Sequence, residues 1–212
     1  ASCNQSLRRT GLDYFDIFYS HRYDPNTPIE ETMQALVDIV HAGKALYAGI
    51  SNYPVDKQQE CYDYLRAAHV PCVISQYKAN MLFEDTLRNN LSVAEENGSG
   101  FICFSPLAQG LLTDRYLHGI PEGSRATKEV FLHRAQITED VIARTRRLSE
   151  IAASRGQSVA QMALAWLLAH EGVTSVIVGA SSVAQLDNNL HSVNNITFSE
   201  HELQAIRRAI AE

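Results

Sequence analysis

Short β-branched or aromatic runs alternate along the chain with stretches in which apolar residues recur every three or four positions. These are the periods of strands and of helices that bury one face. Residues 14–19 (YFDIFY) predict the first strand. The loop Asp24-Pro25-Asn26-Thr27-Pro28 then supplies turn and N-cap chemistry for a helix over residues 29–41, which Gly43 closes. Residues 45–50 predict a second strand and residues 55–68 a second helix, with Cys61, Tyr64, Leu65 and Ala68 on one face. Pro71 opens a third strand over 72–76, followed by a helix near 85–96. The turn Asn97-Gly98-Ser99 precedes a fourth strand over 100–104.

The alternation then breaks. Residues 105–138 form a long polar stretch carrying Gly110, Gly119, Pro121 and Gly123, and a loop of that length inside a compact domain is usually functional. Helices over 139–154 and 159–169 follow, then a fifth strand over 174–178 and two helices over 183–193 and 199–211. Ser199 and Glu202 form a capping box at the start of the last. Strands alternating with helices imply parallel βαβ units and an α/β fold. Two architectures share this rhythm: an open five-stranded doubly wound sheet, and part of a (β/α)8 barrel, whose usual length is about 250 residues. In either, ligand-binding groups belong at the carboxyl ends of the strands.

Composition narrows the choice of partners. The 212 residues are 45% hydrophobic and 20% charged, which suits a buried core and is read as one domain. A net charge of −6 without any Lys/Arg block argues against nucleic-acid or anionic-membrane partners, while a few local basic groups could still hold a small anion. The longest apolar run, residues 162–169, falls far short of the roughly 20 residues of a membrane span. Cys3, Cys61, Cys72 and Cys103 show neither CxxC nor His-partnered spacing, so no metal site is expected and reduced thiols in a cytoplasm are the simplest reading. Cys72 and Cys103 lie in apolar runs, where a cysteine acts as a small core residue. Residues 1–13 hold no apolar core and no initiator methionine, and are expected to be neither a signal peptide nor the native start.

The five predicted strand ends read Ser20-His21-Arg22, Ser51-Asn52, Gln76-Tyr77, Ser105-Pro106-Leu107 and Gly179-Ala180-Ser181. Hydroxyls, amides and one imidazole donate and accept without net charge, which suits a ligand bearing amide and phosphate groups. Ser51 or Ser105 alone reads as a loop cap; five polar ends together favour a site. His21 is the histidine placed to donate a proton or orient a substrate, whereas the other seven fall on helix ends or loops and are expected to be solvated. Gly179 and Ser181, ahead of the helix from Val183, offer free N–H groups and a positive dipole end to a phosphate, without GxGxxG or P-loop spacing.

Six stretches together carry a family resemblance: residues 13–22 (DYFDIFYSHR), 43–52 (GKALYAGISN), 104–116 (FSPLAQGLLTDRY), 119–125 (GIPEGSR), 161–167 (QMALAWL) and 173–181 (VTSVIVGAS). Over nearly the whole chain they resemble the aldo-keto reductases, in the branch of the bacterial L-glyceraldehyde 3-phosphate reductases and the potassium-channel β subunits. The resemblance implies a (β/α)8 barrel, N-terminally truncated to about five visible βα units. It further implies NADP(H) as cofactor and hydride transfer to a small carbonyl substrate such as glyceraldehyde 3-phosphate or methylglyoxal. His21 resembles the active-site histidine that orients the carbonyl. Ser51, Asn52 and Gln76 match the residues that hold the nicotinamide carboxamide. Ser105, Leu107, Gly110, Arg115 and Arg125 match the loop around the pyrophosphate; Gly179, Ser181, Gln185, Asn188 and Asn189 match the segment around the adenosine 2′-phosphate and adenine.

The chain departs from the family pattern in places. Ala79 stands three residues past the glutamine, where the family carries a ring that stacks on the nicotinamide, a contact worth about 1 kcal/mol. Tyr77 replaces that ring only if the loop is rearranged. Asn188 stands for the usual Glu near adenine. The family's Asp, Tyr and Lys, which complete a tetrad with the histidine, precede it in the pattern, and no tyrosine here has a lysine at a matching position. That tyrosine is the general acid and that lysine lowers its pKa. The chain by itself is therefore expected to turn over little substrate, or to serve as a non-catalytic NADP(H)-binding or interaction module. Unpaired strand edges are a liability that proteins normally cover, so self-association into a homo-oligomer, or marginal stability, is expected.

Overall fold

The computed structural model describes residues 1–211, apart from the side chain of Lys128. Helix α1 (Ser2–Thr10) leads into β1 (Phe15–Ser20), α2 (Ile29–His41), β2 (Ala45–Ser51), α3 (Val55–Ala67), β3 (Cys72–Lys78), α4 (Asp85–Asn89), α5 (Leu91–Glu96) and β4 (Gly100–Phe104). Beyond β4 come α6 (Arg125–Lys128), α7 (Glu139–Ser154), α8 (Val159–Leu168), β5 (Val173–Val176), α9 (Val183–Leu190) and α10 (Glu200–Ala211), with single 3-10 turns between them. The strands lie in one sheet in the order β1-β2-β3-β4-β5, and β1 with β2 and β2 with β3 pair parallel. Each strand thus neighbours the next in sequence, with no reversal of order. A doubly wound sheet requires such a reversal and a barrel wall does not, so the α/β barrel pattern is the one this chain follows.

The chain divides into two compact units, Ala1–Tyr77 with Asp85–Ile102, and Lys78–Glu84 with the residues from Cys103 onward. In the first, Met33, Leu36 and Val37 of α2 and Cys61, Tyr62 and Leu65 of α3 bury against Ala48 and Ile50 of β2, with Tyr64 and Ala68 partly buried beside them. Gly49 lets β2 pass Tyr19, since a Cβ there would lie 2.7 Å from the tyrosine ring.

One element of this unit was not foreseen and one differs from expectation. Residues 2–10, which lack an apolar run, form α1: Cys3 is buried, and Gly11 ends the helix in a left-handed turn with its N–H donating to Leu7 O at 2.9 Å. The single helix expected over 85–96 is two, α4 and α5. Buried Asn90 separates them, its Nδ2 donating to Tyr53 O (3.2 Å) and Gln58 Oε1 (2.7 Å), while Gln58 Nε2 donates back to Asn90 O (3.1 Å). A carboxamide engaged by another helix overrides the helical pattern of the sequence around it.

In the second unit, the stretch over 105–138 has its own core rather than being a purely polar loop. Tyr116, Ala126 and Leu132 are buried there, with Leu111, Ile137 and Ile142 packed around them. Strand β5 is shorter than expected, yet Ile177 N–H still donates to Cys103 O at 2.8 Å. Helix α9 ends at Leu190 and gives way to a 3-10 turn over His191–Asn194. The Ser199/Glu202 capping box forms, with Ser199 N–H on Glu202 Oε2 at 2.7 Å and Glu202 N–H on Ser199 Oγ at 3.3 Å.

All four cysteines are free, and burial pushes the Cys72 and Cys103 thiols up to about 12. Six of the seven histidines other than His21 are exposed. His170 departs from expectation: it is half-buried, its ring edge-on to Trp166 at 4.3 Å and its Nδ1 on Trp166 O at 2.8 Å. Among the described residues no helix is long and apolar enough to cross a membrane.

Candidate functional site

In the first unit, parallel register brings three strand ends together. Ser20 pairs with Ile50, and Ser51 with Gln76, so His21, Ser51, Asn52 and Gln76 follow one another across the carboxyl end of the sheet. Asn52 links them. It holds a left-handed backbone (φ 58°) that asparagine tolerates better than most residues. Its Nδ2 donates to His21 O (3.1 Å) and Ser51 Oγ (2.8 Å), and its backbone N–H to Gln76 O (3.3 Å). Ser51 is buried, Asn52 and Gln76 are half-buried and His21 is exposed.

Beside this row, Ser20 Oγ and Tyr53 OH share a hydrogen bond of 2.7 Å, and burial raises the Tyr53 hydroxyl to about 12. Tyr77 does not reach the strand end. It is buried in the core, stacked on Phe101 at 5.3 Å, and burial drives its hydroxyl pKa far up. In the second unit Ala79 is likewise buried, its N–H donating to Phe104 O at 3.3 Å. Neither position supplies an aromatic face for a nicotinamide.

The second unit contains a cavity of about 920 Å³, a size typical of ligand pockets. Ser105, Leu107, Gly110, Arg115 and Arg125 line one part of it and Gly179, Ser181, Gln185, Asn188 and Asn189 another, so all ten residues matched to pyrophosphate and adenosine meet in one place. The loop after β4 is bent by residues that seldom adopt such backbone: Ser105 (φ 53°), Ala108 (φ 47°) and Gln109 (φ 61°) are left-handed without being glycine. Clusters of this kind belong to functional sites. Gly110, at φ 102°, needs the freedom of glycine. Asn80 Nδ2 fixes the bend by donating to Ser105 O at 3.0 Å.

Charge and dipole converge on the cavity. Ser158 caps α8, accepting from Gln161 N–H at 3.2 Å, and Ser182 caps α9, accepting from Gln185 N–H at 3.2 Å; both helix starts line the wall. Helix N-termini carry partial positive charge, and Arg115 and Arg125 add two full ones. Asp114 also lines the cavity, but among the described residues no carboxylate pairs with either arginine. Gln185 Oε1 accepts from Ser181 N–H (2.7 Å) and Oγ (3.0 Å), and Asn188 Oδ1 accepts from Gln161 Nε2 (3.0 Å). Asn189 is buried with no partner for its Nδ2 among the described residues, an amide donor left for something else to satisfy.

Sequence reasoning passed over Ser158, Ser182 and Gln109. The first two were readable, since Ser158-x-x-Gln161 and Ser182-x-x-Gln185 both have capping-box spacing. Gln109 carries no such signal, because nothing in its sequence marks a non-glycine residue for left-handed backbone.

The strand order and these sites define a class: the chain belongs to the aldo/keto reductase family, whose family model matches residues 1–211. Two proteins named L-glyceraldehyde 3-phosphate reductase, from Escherichia coli O157:H7 and strain K12, are 49% and 48% identical over 217 aligned positions. These alignments cover all of this chain and 63% of each relative, so the chain spans under two thirds of their length. A probable voltage-gated potassium channel subunit beta from Arabidopsis thaliana is 34% identical over 196 positions, covering 90% of this chain and 60% of that protein. Among solved structures, a thermostable aldo-keto reductase crystallised with the inhibitor epalrestat superposes with a TM-score of 0.73 at 26% identity, covering 98% of this chain and 64% of that one.

Proposed function

We propose that this chain binds NADP(H) and forms part of a reductase of small carbonyls, such as glyceraldehyde 3-phosphate or a methylglyoxal-like aldehyde. The observation that carries the proposal is the cavity of the second unit, where two arginines, two helix starts and the unpartnered amide of buried Asn189 converge. That donor set fits a phosphate-bearing dinucleotide: Arg115 and Arg125 take pyrophosphate oxygens, while Ser181, Gln185, Asn188 and Asn189 take the 2′-phosphate and adenine. When bound, the cofactor supplies the hydride.

The strand ends of the first unit supply orientation. Asn52, clamped to His21 O and Ser51 Oγ, holds with Gln76 the nicotinamide carboxamide, and exposed His21 presents its imidazole to the substrate carbonyl. Tyr53 is committed to Ser20 and raised to about 12 by burial, the opposite of the lowered pKa that a tyrosine acid needs. This supports little turnover by the chain alone. The same observation, with the likeness to a channel subunit, favours a cofactor-binding module without catalysis as the second reading.

Titrating NADPH into the purified chain while following nicotinamide fluorescence tests both. Saturable binding is expected, without NADPH oxidation when glyceraldehyde 3-phosphate or methylglyoxal is added. Replacing Arg115 and Arg125 together by Ala is expected to weaken binding at least about tenfold, since each charge-assisted bond contributes about 1.5–3 kcal/mol. An unchanged fluorescence signal across the titration would remove the cofactor proposal. Steady oxidation of NADPH would replace the binding module with a working reductase.

A further inference from the structure

Gln109 does something in the cavity that no cofactor match assigns to it. Its carboxamide joins two walls: Nε2 donates to Ser105 Oγ at 2.9 Å, and Oε1 accepts from Arg125 Nη1. The Arg125 guanidinium lies near the loop after β5, where a Cβ added at Gly179 would come to 3.9 Å from Nη2. A relay of side-chain hydrogen bonds therefore runs from Ser105 through Gln109 to Arg125. The backbones of Ala108 and Gln109 are both left-handed here, a conformation that costs energy outside glycine.

We propose that Gln109 is a displaceable stand-in for ligand phosphate: it holds and aims the Arg125 guanidinium in the free cavity, and must release it before a phosphate binds there. The inference rests on the cavity being an anion site, as argued above. Its direction follows from bond strengths. A neutral amide oxygen bonds a guanidinium less strongly than a phosphate oxygen does, because the second bond is charge-assisted at both ends, so the exchange favours the ligand. A carboxylate in place of this neutral amide would hold the arginine harder and oppose the exchange. Gln109 thus lowers phosphate affinity by the strength of one bond, and leaves the arginine ready.

Calorimetric titration with inorganic pyrophosphate, and separately with NADP+, tests this in the full chain. Gln109→Asn keeps an amide and tolerates left-handed backbone but is one methylene too short to span the gap; Gln109→Ala removes the amide. Both are expected to bind pyrophosphate roughly three- to tenfold more tightly, the equivalent of one lost competing bond. Gln109→Glu turns the stand-in into an ion pair with Arg125 and is expected to bind at least about tenfold more weakly. In an Arg125→Ala background the Gln109 substitutions should have no effect. Equal or weaker pyrophosphate binding by Gln109→Asn and Gln109→Ala, persistence of the effect without Arg125, or no pyrophosphate binding by any form overturns the proposal. If pyrophosphate follows the expected pattern while NADP+ does not bind, the stand-in holds and the cofactor assignment falls.

Discussion

At the scale of single residues, Asn52 shows how one side chain sets a site. Its left-handed backbone turns the chain out of β2, and its amide then ties the His21 and Ser51 ends together. Replacing it by Ala removes both side-chain bonds, leaves buried Ser51 with one partner fewer and puts in left-handed backbone a residue that tolerates it less well than asparagine. A loss of about 2–3 kcal/mol in urea unfolding is expected. Asn52→Gly keeps the backbone and loses only the bonds, so it should fall by about half as much. Equal losses would mean that the amide, not the backbone, does the holding. That His21, Ser51, Asn52 and Gln76 come together was legible because placement at strand ends is a positional rule. Gln109 was not: its role depends on where Ser105 and Arg125 arrive in space, and sequence spacing does not encode that.

At the scale of elements, patterning worked where packing follows period and failed where a polar side chain overrides it. Helices α2 and α7 and strand β4 fall on the expected residues, their apolar positions agreeing with 3.6- or 2-residue repeats. The break at Asn90 was invisible because residues on both sides keep a helical pattern; only the tertiary bonds to Tyr53 and Gln58 reveal it. Asn90→Leu, which suits a helix but cannot make these bonds, is expected to cost about 2–4 kcal/mol in chemical denaturation, since it strands buried polar groups of Gln58 and Tyr53.

The opening of α10 yields a pH prediction. The Ser199 side chain and N–H, and then Arg155, hold the Glu202 carboxyl down at about 2 from its ordinary 4.5. A carboxylate whose folded pKa is depressed stabilises the fold above its unfolded pKa, and that contribution is lost as pH falls through the window from about 4.5 to about 2. The stability gap between wild type and Glu202→Gln, followed by thermal melting, should be full at pH 6 or so and close across that window. A gap that is constant with pH would show that the box stabilises through geometry alone.

At the scale of the whole molecule, alternation of strand and helix left an open sheet and a barrel equally good, because both are built from the same βαβ repeat. Strand order decides it, and order is a property of space. The division into two units was equally hidden, for no Pro/Gly-rich linker or shift in composition marks the boundaries near residues 78, 85 and 103.

Two apolar or unpaired features of the chain face water. Strands β1 and β5 stand at the sheet edges. Along α9 and the turn after it, Val183 (76% exposed), Leu186, Leu190 (58%) and Val193 (61%) recur at helical spacing, an apolar stripe facing water. A contiguous stripe of this kind is unusual on a soluble monomer, and open sheet edges add a second route to association. Sedimentation velocity over a range of concentrations is expected to show reversible self-association of the chain. Glutamate at positions 183, 190 and 193 together should weaken that association at least about tenfold, the worth of some 1.4 kcal/mol of apolar contact, with little change in melting temperature because all three side chains are already solvated. If the triple variant associates as the parent does, the sheet edges and not the α9 stripe make the contact, and charged substitutions on β1 become the variants that must abolish it.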